Sequence, residues 1–454
     1  MGYITRRLLM KKLMTLLVVL AFLFAVVAPV VAGGQQGGGA APAARGVELV
    51  VQVETSWEAY YKAVAERVAA RYPGTTFRWI VTGAFDHLGV LDSTDVTNPD
   101  VGDVYAFPMD RLFGLERNEA LAPIPAREMA ARVGGFGDFD AGIGGALKID
   151  GDYLGFPMNI ETLVNFVNTA NARALGIDLS RPIELTELDP EAMLVPVFNA
   201  WFGVALTNSV GLELLGKDAN GNLYSDLTEN FSALPREKQD LFRALFNYWQ
   251  AHDRANTPLW DGSSAWGYMD TEFTTGGNTA IRLEGPWSAN SLANLTNGGA
   301  DMEIISIDRV TLNGRPLSHW QSGWAVGVNS RLEGNAEKMA VAIAFLEEIS
   351  NPRYAAEFFG VPGADPDLVP SKIMANVSVQ DYMNANLSTA NKEVIAAVVE
   401  SYAAATERPL FIEWGQVWGT WENALLSWAA VKPATVEAAY AEVQAAFRAM
   451  MLNF

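Results

Sequence analysis

Apolar runs alternate with amphipathic stretches between residues 47 and 107, and this alternation constrains the fold more than any other feature of the sequence. The run Val47 to Val53 suits a strand that is buried on both faces, and Phe77 to Val81 and Val101 to Phe107 are predicted to be a second and a third strand. A helix is predicted after the first run by large apolar residues at helical spacing, Trp57, Tyr61, Val64 and Val68. Strands that alternate with helices pair in parallel through right-handed crossovers, so the sequence predicts an α/β fold.

The rest of the chain contains more helical than strand-like sequence. Amphipathic periodicity predicts helices over Arg236 to Gln250 and Met339 to Ile349, and a last helix from about Ala434 to Met451. Strand-like runs return at Met302 to Ile307 and at Gly323 to Val328. With 454 residues, the chain is long enough for two or three domains.

The N-terminus carries an export signal. Two basic pairs, Arg6-Arg7 and Lys11-Lys12, precede an apolar run from Leu13 to Ala32, which ends in small residues suited to a signal-peptidase cut. Residues 1–32 are therefore predicted to be a cleaved signal peptide or, if uncut, an N-terminal membrane anchor, because the run is long enough to span a bilayer. Residues 33–46 are predicted to form a flexible linker. In both cases the body is exported, to the periplasm or the extracellular surface.

Charge and cysteine content exclude several classes of function. The 52 acidic and 32 basic residues give a formal net charge of −20, which repels a phosphate backbone, so we expect no nucleic-acid partner. The absence of cysteine removes disulfides, thiolate zinc sites and the lipid-bearing cysteine of a bacterial lipoprotein. Three well-separated histidines form no zinc motif, and no Walker or dinucleotide loop is present, so we predict neither a cofactor nor a metal.

The segment Asp218 to Glu229 has the oxygen spacing of a calcium-binding loop. Its sixth position is Leu223, where such a loop needs a glycine for its turn. The competing interpretation is a β-hairpin around Asn220-Gly221, which is a strong turn signal. We favour the hairpin, and the sequence leaves calcium binding open.

Five segments spread over most of residues 47–454 share the motifs of one protein family. They are Asn98 to Val101 with Asp110 to Leu112 and Ala120 to Pro123; Gly155 to Pro157 with Glu161 to Leu163 and Phe166 to Asn168; Ala280 to Trp287; Gly323 to Asn329 with the Met339 to Ile349 helix; and Pro409 to Trp421. In this order they resemble the family-1 extracellular solute-binding proteins, which include the maltodextrin-binding proteins. The third segment matches that family's Gly-Pro-Trp element.

The resemblance implies a two-lobed, type II periplasmic-binding-protein fold with a cleft between the lobes, which close on a ligand by hinge motion. It predicts an N-terminal lobe of residues 47–157 and 318–365 and a C-terminal lobe of residues 158–317 and 366–454. Crossings are predicted near Phe156 to Glu161, Ile307 to Ser318 and Val361 to Ser371. The implied function is capture of a sugar or oligosaccharide, without catalysis, by a monomer that delivers it to the permease subunits of an ABC transporter.

Aromatic side chains are the first group of candidate ligand-binding residues, because a sugar ring presents one face of C–H groups to a flat apolar platform. The candidates are Trp57, Trp287, Trp320, Trp324, Trp414 and Trp418. Trp57 follows the first strand, at the edge where open α/β sheets bind ligands. By resemblance, Trp287 is the Gly-Pro-Trp residue, and Trp418 or the nearby Trp414 matches the aromatic residue that opens a late helix in maltodextrin binders.

Polar candidates would bind sugar hydroxyls in the ring plane. They are Asp86, Asp110, Glu161, Gln321 and Glu413, with His87 at a similar loop position. By resemblance, Glu161 is the carboxylate next to a hinge crossing. The acidic–basic pair that follows a tryptophan in the maltodextrin binders corresponds to Asp110-Arg111, but here the upstream aromatic residue is Phe107, which leaves the sugar's identity and length open.

Two other functions remain possible from the sequence. An exported glycoside hydrolase would also need tryptophans, together with two carboxyl groups roughly 5–10 Å apart; the 52 acidic residues leave room for such a pair, although no motif marks one. The same fold could instead bind a polyol phosphate or a polyamine. A phosphate would favour a cluster of Arg and Lys residues, and the matched loops contain few.

Overall fold

A computed structural model describes residues 46–353, 373–386 and 389–454. The predicted signal peptide or anchor, residues 33–45 of the linker and the third predicted crossing, Val361 to Ser371, lie outside the described residues. Within the described ranges, no helix combines the length and the apolar character needed to cross a membrane.

Eighteen strands are present in the part of the chain that the structure describes. They are β1 (Glu48–Val53), β2 (Thr76–Val81), β3 (Val104–Pro108), β4 (Lys148–Ile149), β5 (Asp152–Tyr153), β6 (Phe156–Glu161), β7 (Val164–Asn168), β8 (Ile183–Glu184), β9 (Met193–Leu194), β10 (Gly216–Lys217), β11 (Leu223–Tyr224), β12 (Ile281–Glu284), β13 (Met302–Ile305), β14 (Val310–Leu312), β15 (Arg315–Pro316), β16 (Trp320–Val328), β17 (Ile373–Met374) and β18 (Thr406–Glu407).

The α-helices of the same ranges run between and after these strands, and several short 3-10 turns join them. They are α1 (Glu58–Arg71), α2 (Ala84–Ser93), α3 (Leu112–Arg117), α4 (Ala126–Val133), α5 (Thr169–Leu175), α6 (Ala200–Ser209), α7 (Arg236–Ala255), α8 (Ala265–Phe273), α9 (Ala289–Leu295), α10 (Ala336–Ile349), α11 (Val377–Asn386), α12 (Thr389–Ala403), α13 (Gly415–Leu426), α14 (Trp428–Val431) and α15 (Val436–Met451).

The larger sheet contains the strands that the opening alternation predicts. Its order is β17-β6-β16-β3-β1-β2, and β18 pairs with the start of β16. Strand β1 is parallel to β2 and to β3, whereas β16 runs antiparallel to β3 and β6. The apolar residues of β1 and β3 are buried because helices cover the sheet, and α1 and α10 pack beside each other against it. The predicted α/β class is confirmed.

A second, smaller sheet packs against a second hydrophobic core, while Val164 and Phe166 of β7 belong to the first core, which packs on the larger sheet. The order of the smaller sheet is β13-β7-β12-β9, with β7 antiparallel to both of its neighbours. Helices α6, α7, α13 and α15 contribute to this second core, in which Trp421 and Trp428 are fully buried. The indole N–H groups of these two residues donate to the carbonyls of Val197 and Ala439, so neither buried polar atom lacks a partner.

The chain passes from one sheet to the other over short segments. Strand β6 of the larger sheet ends at Glu161, and β7 of the smaller sheet begins at Val164, with only Thr162 and Leu163 between them. Strand β16 begins at Trp320, which packs in the second core, and ends at Val328 in the first. These passages place Glu161 and the first half of β16 between the two cores. The lobe limits given above stay a prediction.

The segment from Asp218 forms the predicted hairpin. Strands β10 and β11 pair antiparallel, with Gly216 opposite Tyr224. Gly221 has a φ of 83°, a value that glycine adopts without strain. The side chain of Asp218 accepts hydrogen bonds from the backbone N–H groups of Asn220 and Asn222, which closes the turn.

Candidate ligand-binding cleft

A cavity of about 840 Å³ lies at the carboxyl ends of the parallel strands. It is lined by Glu54, Ser56, Phe85, Pro108, Asp110, Arg111, Glu161, Asn199, Trp201, Phe202, Trp287, Trp324, Arg408 and Trp418. Six of these side chains are aromatic and three are carboxylates. Its volume is in the range typical of sites for small organic ligands.

The first wall consists of residues that follow β1, β2 and β3. Glu54 comes directly after β1, Phe85 lies in the first turn of α2 after β2, and Asp110 lies in the 3-10 turn after β3. The carboxyl ends of parallel strands meet at one edge of a sheet, which explains how residues so far apart in sequence share a wall. Phe85 is 64% exposed, and its ring lies edge-on to Trp324 with centroids 5.2 Å apart.

The opposite wall is built on the second core. Asn199 caps α6, because its side chain accepts a hydrogen bond from the backbone N–H of Trp201, and the cap places Trp201 at the start of the helix. Trp287 follows β12, and its indole packs over Gly285 so closely that a Cβ atom there would clash with the ring. Trp287 is 40% exposed, and its ring centroid lies 6.3 Å from that of Trp201.

The guanidinium of Arg408 lies at the floor of the cavity. Its side chain is 5% exposed and forms an ion pair with Asp110, with Nη2 3.1 Å from Oδ2. Nη1 donates to the hydroxyl of Ser322 at 2.7 Å. The guanidinium carbon also lies over the indoles of three tryptophans. It is 5.0 Å from the ring centroid of Trp201, 5.3 Å from that of Trp320 and 5.8 Å from that of Trp418. These distances are those of cation–π contacts.

Further polar groups lie around this floor. Trp324 donates its indole N–H to Oε2 of Glu161 at 3.1 Å, which orients both side chains. Oδ1 of Asp110 is buried and accepts no hydrogen bond within the described residues, and the indole N–H of Trp201 likewise has no acceptor there. A buried polar atom without a partner is uncommon in folded proteins and often marks a place where another molecule binds.

Burial shifts the pKa of two groups, Arg408 at the floor of the cavity and His319 behind it. It lowers the pKa of Arg408, and the carboxylates of Asp110 and Glu161 oppose that shift. His319 is buried, which lowers its pKa to about 3. Its Nε2 lies 2.8 Å from the carbonyl of Trp201, so Nε2 must carry the proton of the neutral ring, while Nδ1 faces the hydroxyl of Thr162 at 3.3 Å.

No protein-family model and no curated protein matches this sequence. Solved structures do match. The maltose-binding protein MalE of Listeria monocytogenes, in complex with maltose, is 20% identical at a TM-score of 0.65, covering 90% of this chain and 98% of that one. MalX of Streptococcus pneumoniae, in complex with maltopentaose, is 18% identical at 0.66, covering 88% and 99%. The GacH receptor of Streptomyces glaucescens, solved with acarbose, is 14% identical at 0.67, covering 90% and 99%.

The chain has the fold of the maltose- and maltodextrin-binding proteins. The agreement covers nearly the whole of each neighbour, so the resemblance in the five sequence segments extends to the architecture. At these low identities, the likeness shows the two-lobed fold alone.

Five of the eleven predicted site residues line the cavity of this maltodextrin-binding-protein fold. They are Asp110, Glu161, Trp287, Trp324 and Trp418. Two further tryptophans, Trp320 and Trp414, are only 3% and 5% exposed and lie behind the cavity. Their rings pack edge-on against Trp418, with centroids 6.2 Å and 4.7 Å away, so they hold a lining residue in place instead of lining the cavity.

The remaining four predicted residues lie outside the lining. Trp57 is 2% exposed and packs edge-on against Tyr60 and Tyr61 in the first core. Its ring is therefore a core element, although its neighbours Glu54 and Ser56 line the cavity. The others are placed as follows: Asp86 is exposed on α2, Gln321 donates to the carbonyl of Tyr402, and Glu413 pairs with Lys217.

Several residues that line the cavity were not predicted from the sequence. Trp201 follows Asn199, and an asparagine before a helical run is a recognisable N-cap signal that would have placed it at the start of a helix. Phe85 directly precedes the predicted Asp86, so that loop was found with the wrong side chain. Arg408 precedes the fifth matched segment by one residue, and nothing local marks it, because its partners come from distant parts of the sequence.

The neutral His319 predicts a pH-dependent stability. An unfolded histidine gains its proton near pH 6.5, whereas the folded pKa of about 3 keeps the ring neutral. The contribution of His319 to the free energy of unfolding is therefore complete above pH 6.5 and is lost as the pH falls towards 3. Between pH 7.5 and pH 5.5 this group should lower the free energy of unfolding by about 1.4 kcal/mol. Urea unfolding at both pH values, for the wild type and His319→Gln, measures that difference.

Glutamine keeps a donor for the carbonyl of Trp201 but does not titrate in this range. The variant should therefore lose less stability than the wild type on acidification, by about the same 1.4 kcal/mol. Equal losses for the two proteins would show that His319 is not held neutral by its burial.

Proposed function

We propose that this chain is the exported solute-binding subunit of an ABC importer, and that its cavity binds a neutral sugar or oligosaccharide. The observation that carries the proposal is the combination of six aromatic side chains with hydrogen-bond acceptors in one cavity. In this role the protein performs no chemistry: it captures the solute by closure of its two lobes and delivers it to the permease. We propose that it acts as a monomer.

The aromatic side chains supply platforms for the C–H faces of sugar rings. Trp287 and Phe85 are exposed on opposite walls, while Trp418 and Trp201 lie deeper and are backed by other rings. One aromatic contact of this kind contributes about 0.5–1.5 kcal/mol beyond the burial of area. With several hydrogen bonds to charged acceptors at about 1.5–3 kcal/mol each, the gross interaction exceeds the ~8 kcal/mol of micromolar binding before ordering costs are subtracted.

The charges of the cavity favour a neutral solute over a phosphorylated one. The two cationic side chains in the lining are both paired, Arg408 with Asp110 at 3.1 Å and Arg111 with Asp92 at 2.6 Å. A phosphate group would have to compete with these carboxylates and would face Glu54 and Glu161 as well. Sugar hydroxyls, in contrast, donate to carboxylate oxygens such as the buried Oδ1 of Asp110.

The structural neighbours give the first sugars to try. One was solved with maltose and another with maltopentaose, and a third was solved with acarbose. An α-linked glucose oligomer such as maltotriose is therefore the first probe for this chain. A polyamine is the rival solute to include, because three carboxylates and several aromatic faces would also suit an ammonium group.

The proposal predicts that calorimetry against a panel of neutral sugars, beginning with maltotriose, detects binding. Trp287→Ala should weaken it by about five- to tenfold, because the change removes one exposed platform on the cavity wall. Tyr224→Ala is the matched control, since Tyr224 is 41% exposed but lies on the β10–β11 hairpin outside the lining. The control variant should bind as the wild type does.

Heat with a polyamine, an amino acid or a sugar phosphate, and none with any neutral sugar, would overturn the proposed cargo. An equal loss of affinity in the Trp287 and Tyr224 variants would show that the effect is not specific to the cavity.

An exported glycoside hydrolase is the second function that a cavity with tryptophans and carboxylates permits. Two of its carboxylates are already engaged, Asp110 with Arg408 and Glu161 with the indole of Trp324. We therefore expect no turnover of chromogenic α- or β-glycosides by the purified protein. Turnover that disappears in Glu161→Gln would replace the binding function with a hydrolytic one.

A further inference from the structure

Arg408 forms an ion pair, a hydrogen bond and three contacts with indole rings. It bonds to Asp110 on the first wall and to Ser322 on β16, and it lies over three indoles. One of these indoles, Trp201, is on the opposite wall, and another, Trp418, is on α13. The guanidinium therefore touches both walls and the strand that passes between the two cores.

The burial of this cation makes its position well defined. Only 5% of the side chain is exposed, so the guanidinium has exchanged most of its water for a carboxylate, a hydroxyl and ring faces. Such a group is stable only while its partners stay in place, because an unpaired buried charge is strongly unfavourable. Its planar shape also allows stacking and directed hydrogen bonds at the same time, which a lysine ammonium does not provide.

The ion pair has a consequence for Asp110. Oδ2 of the carboxylate is held by Arg408, and Oδ1 is left buried without a hydrogen-bond partner among the described residues. Asp110 itself is one of the residues that line the cavity. The rotation of the carboxylate, and with it the location of this unpartnered acceptor, is therefore fixed by the guanidinium.

The geometry points to Arg408 as the positioning residue of the cleft: it holds Trp201 and Trp418 at the angle at which they meet a ligand, and it presents Oδ1 of Asp110 as the acceptor for a ligand hydroxyl. The statement about the ligand rests on the proposed sugar-binding function. The hold of Arg408 on the indoles and on Asp110 is a property of the protein without ligand and does not depend on that function.

Four variants test this role: Arg408→Gln, Arg408→Lys, Asp110→Asn and the double variant Arg408→Gln/Asp110→Asn. The matched control is Arg243→Gln, because Arg243 also forms an ion pair, with Asp240, and also lies over an aromatic ring, that of Phe231, but is outside the cavity lining. Two readouts are needed, the near-UV circular dichroism of the unliganded protein and the Kd for maltotriose by calorimetry.

In the unliganded protein, Arg408→Gln should change the near-UV spectrum, which reports fixed tryptophan packing, while Arg243→Gln should not. For maltotriose, Arg408→Gln should raise the Kd by about tenfold or more, and Arg408→Lys should recover only part of that loss. Asp110→Asn should weaken binding in the wild type but change the Kd less than about twofold in the Arg408→Gln background, because the acceptor is no longer positioned there.

If Arg408 had only a structural role, its replacement would lower the melting temperature. The near-UV spectrum and the effect of Asp110→Asn on the Kd would then stay the same. An unchanged near-UV spectrum in Arg408→Gln, full recovery by lysine, or independent effects of the Arg408 and Asp110 changes on the Kd would each overturn the positioning role. If the wild type binds no sugar at all, the proposed function fails, and the near-UV comparison alone then decides whether Arg408 positions the indoles.

Discussion

Two sheets and the hydrophobic clusters packed on them share one chain, and the chain must pass between the sheets without exposing apolar residues or leaving backbone groups unpaired. It does so at the junction of β6 and β7, where only two residues separate the strands, and again at the start of β16, which begins with Trp320 in the second core. Glu161 and Trp324 are on these strands, next to the passages. The cavity lies beside these passages, and Glu161 and Trp324 form part of its floor.

The polar groups of the floor are stabilised mainly by one another. Arg408 has replaced water by Asp110, Ser322 and three indoles, and Glu161 accepts from Trp324. A buried charge network of this type is seldom the most stable choice, since apolar residues of the same volume often stabilise a fold as well or better. Its presence beside a large cavity, with one carboxylate oxygen still unpartnered, is consistent with a role in binding.

Much of the fold follows from local sequence. The alternation at residues 47–107 predicted the parallel strands, and the hairpin after Lys217 follows from its Asn-Gly turn. The third strand begins at Val104, three residues later than its apolar pattern indicated. The reason is Asp103, whose buried carboxylate accepts from the backbone of Val50 and pairs with Arg331 and Lys338, contacts that no local pattern reveals.

The site was less predictable, because the direction in which a ring faces depends on packing between distant segments. Trp57, Trp320 and Trp287 all follow or begin strands near the cavity, yet only Trp287 lines it. Arg408 acquires its role from residues that are remote in sequence, and so no motif marks it. The resemblance to solute-binding proteins pointed to loops that border the cavity, but only the structure shows which side chain of each loop faces it.

A crystal structure of the protein with maltotriose measures sugar capture in this cleft. Sugar rings should stack on Trp287 and Trp418, with a hydroxyl within hydrogen-bond distance of Oδ1 of Asp110 and Arg408 still paired to Oδ2. A maltotriose bound elsewhere on the surface, or a cavity that stays empty at saturating sugar, would contradict sugar binding in the cleft.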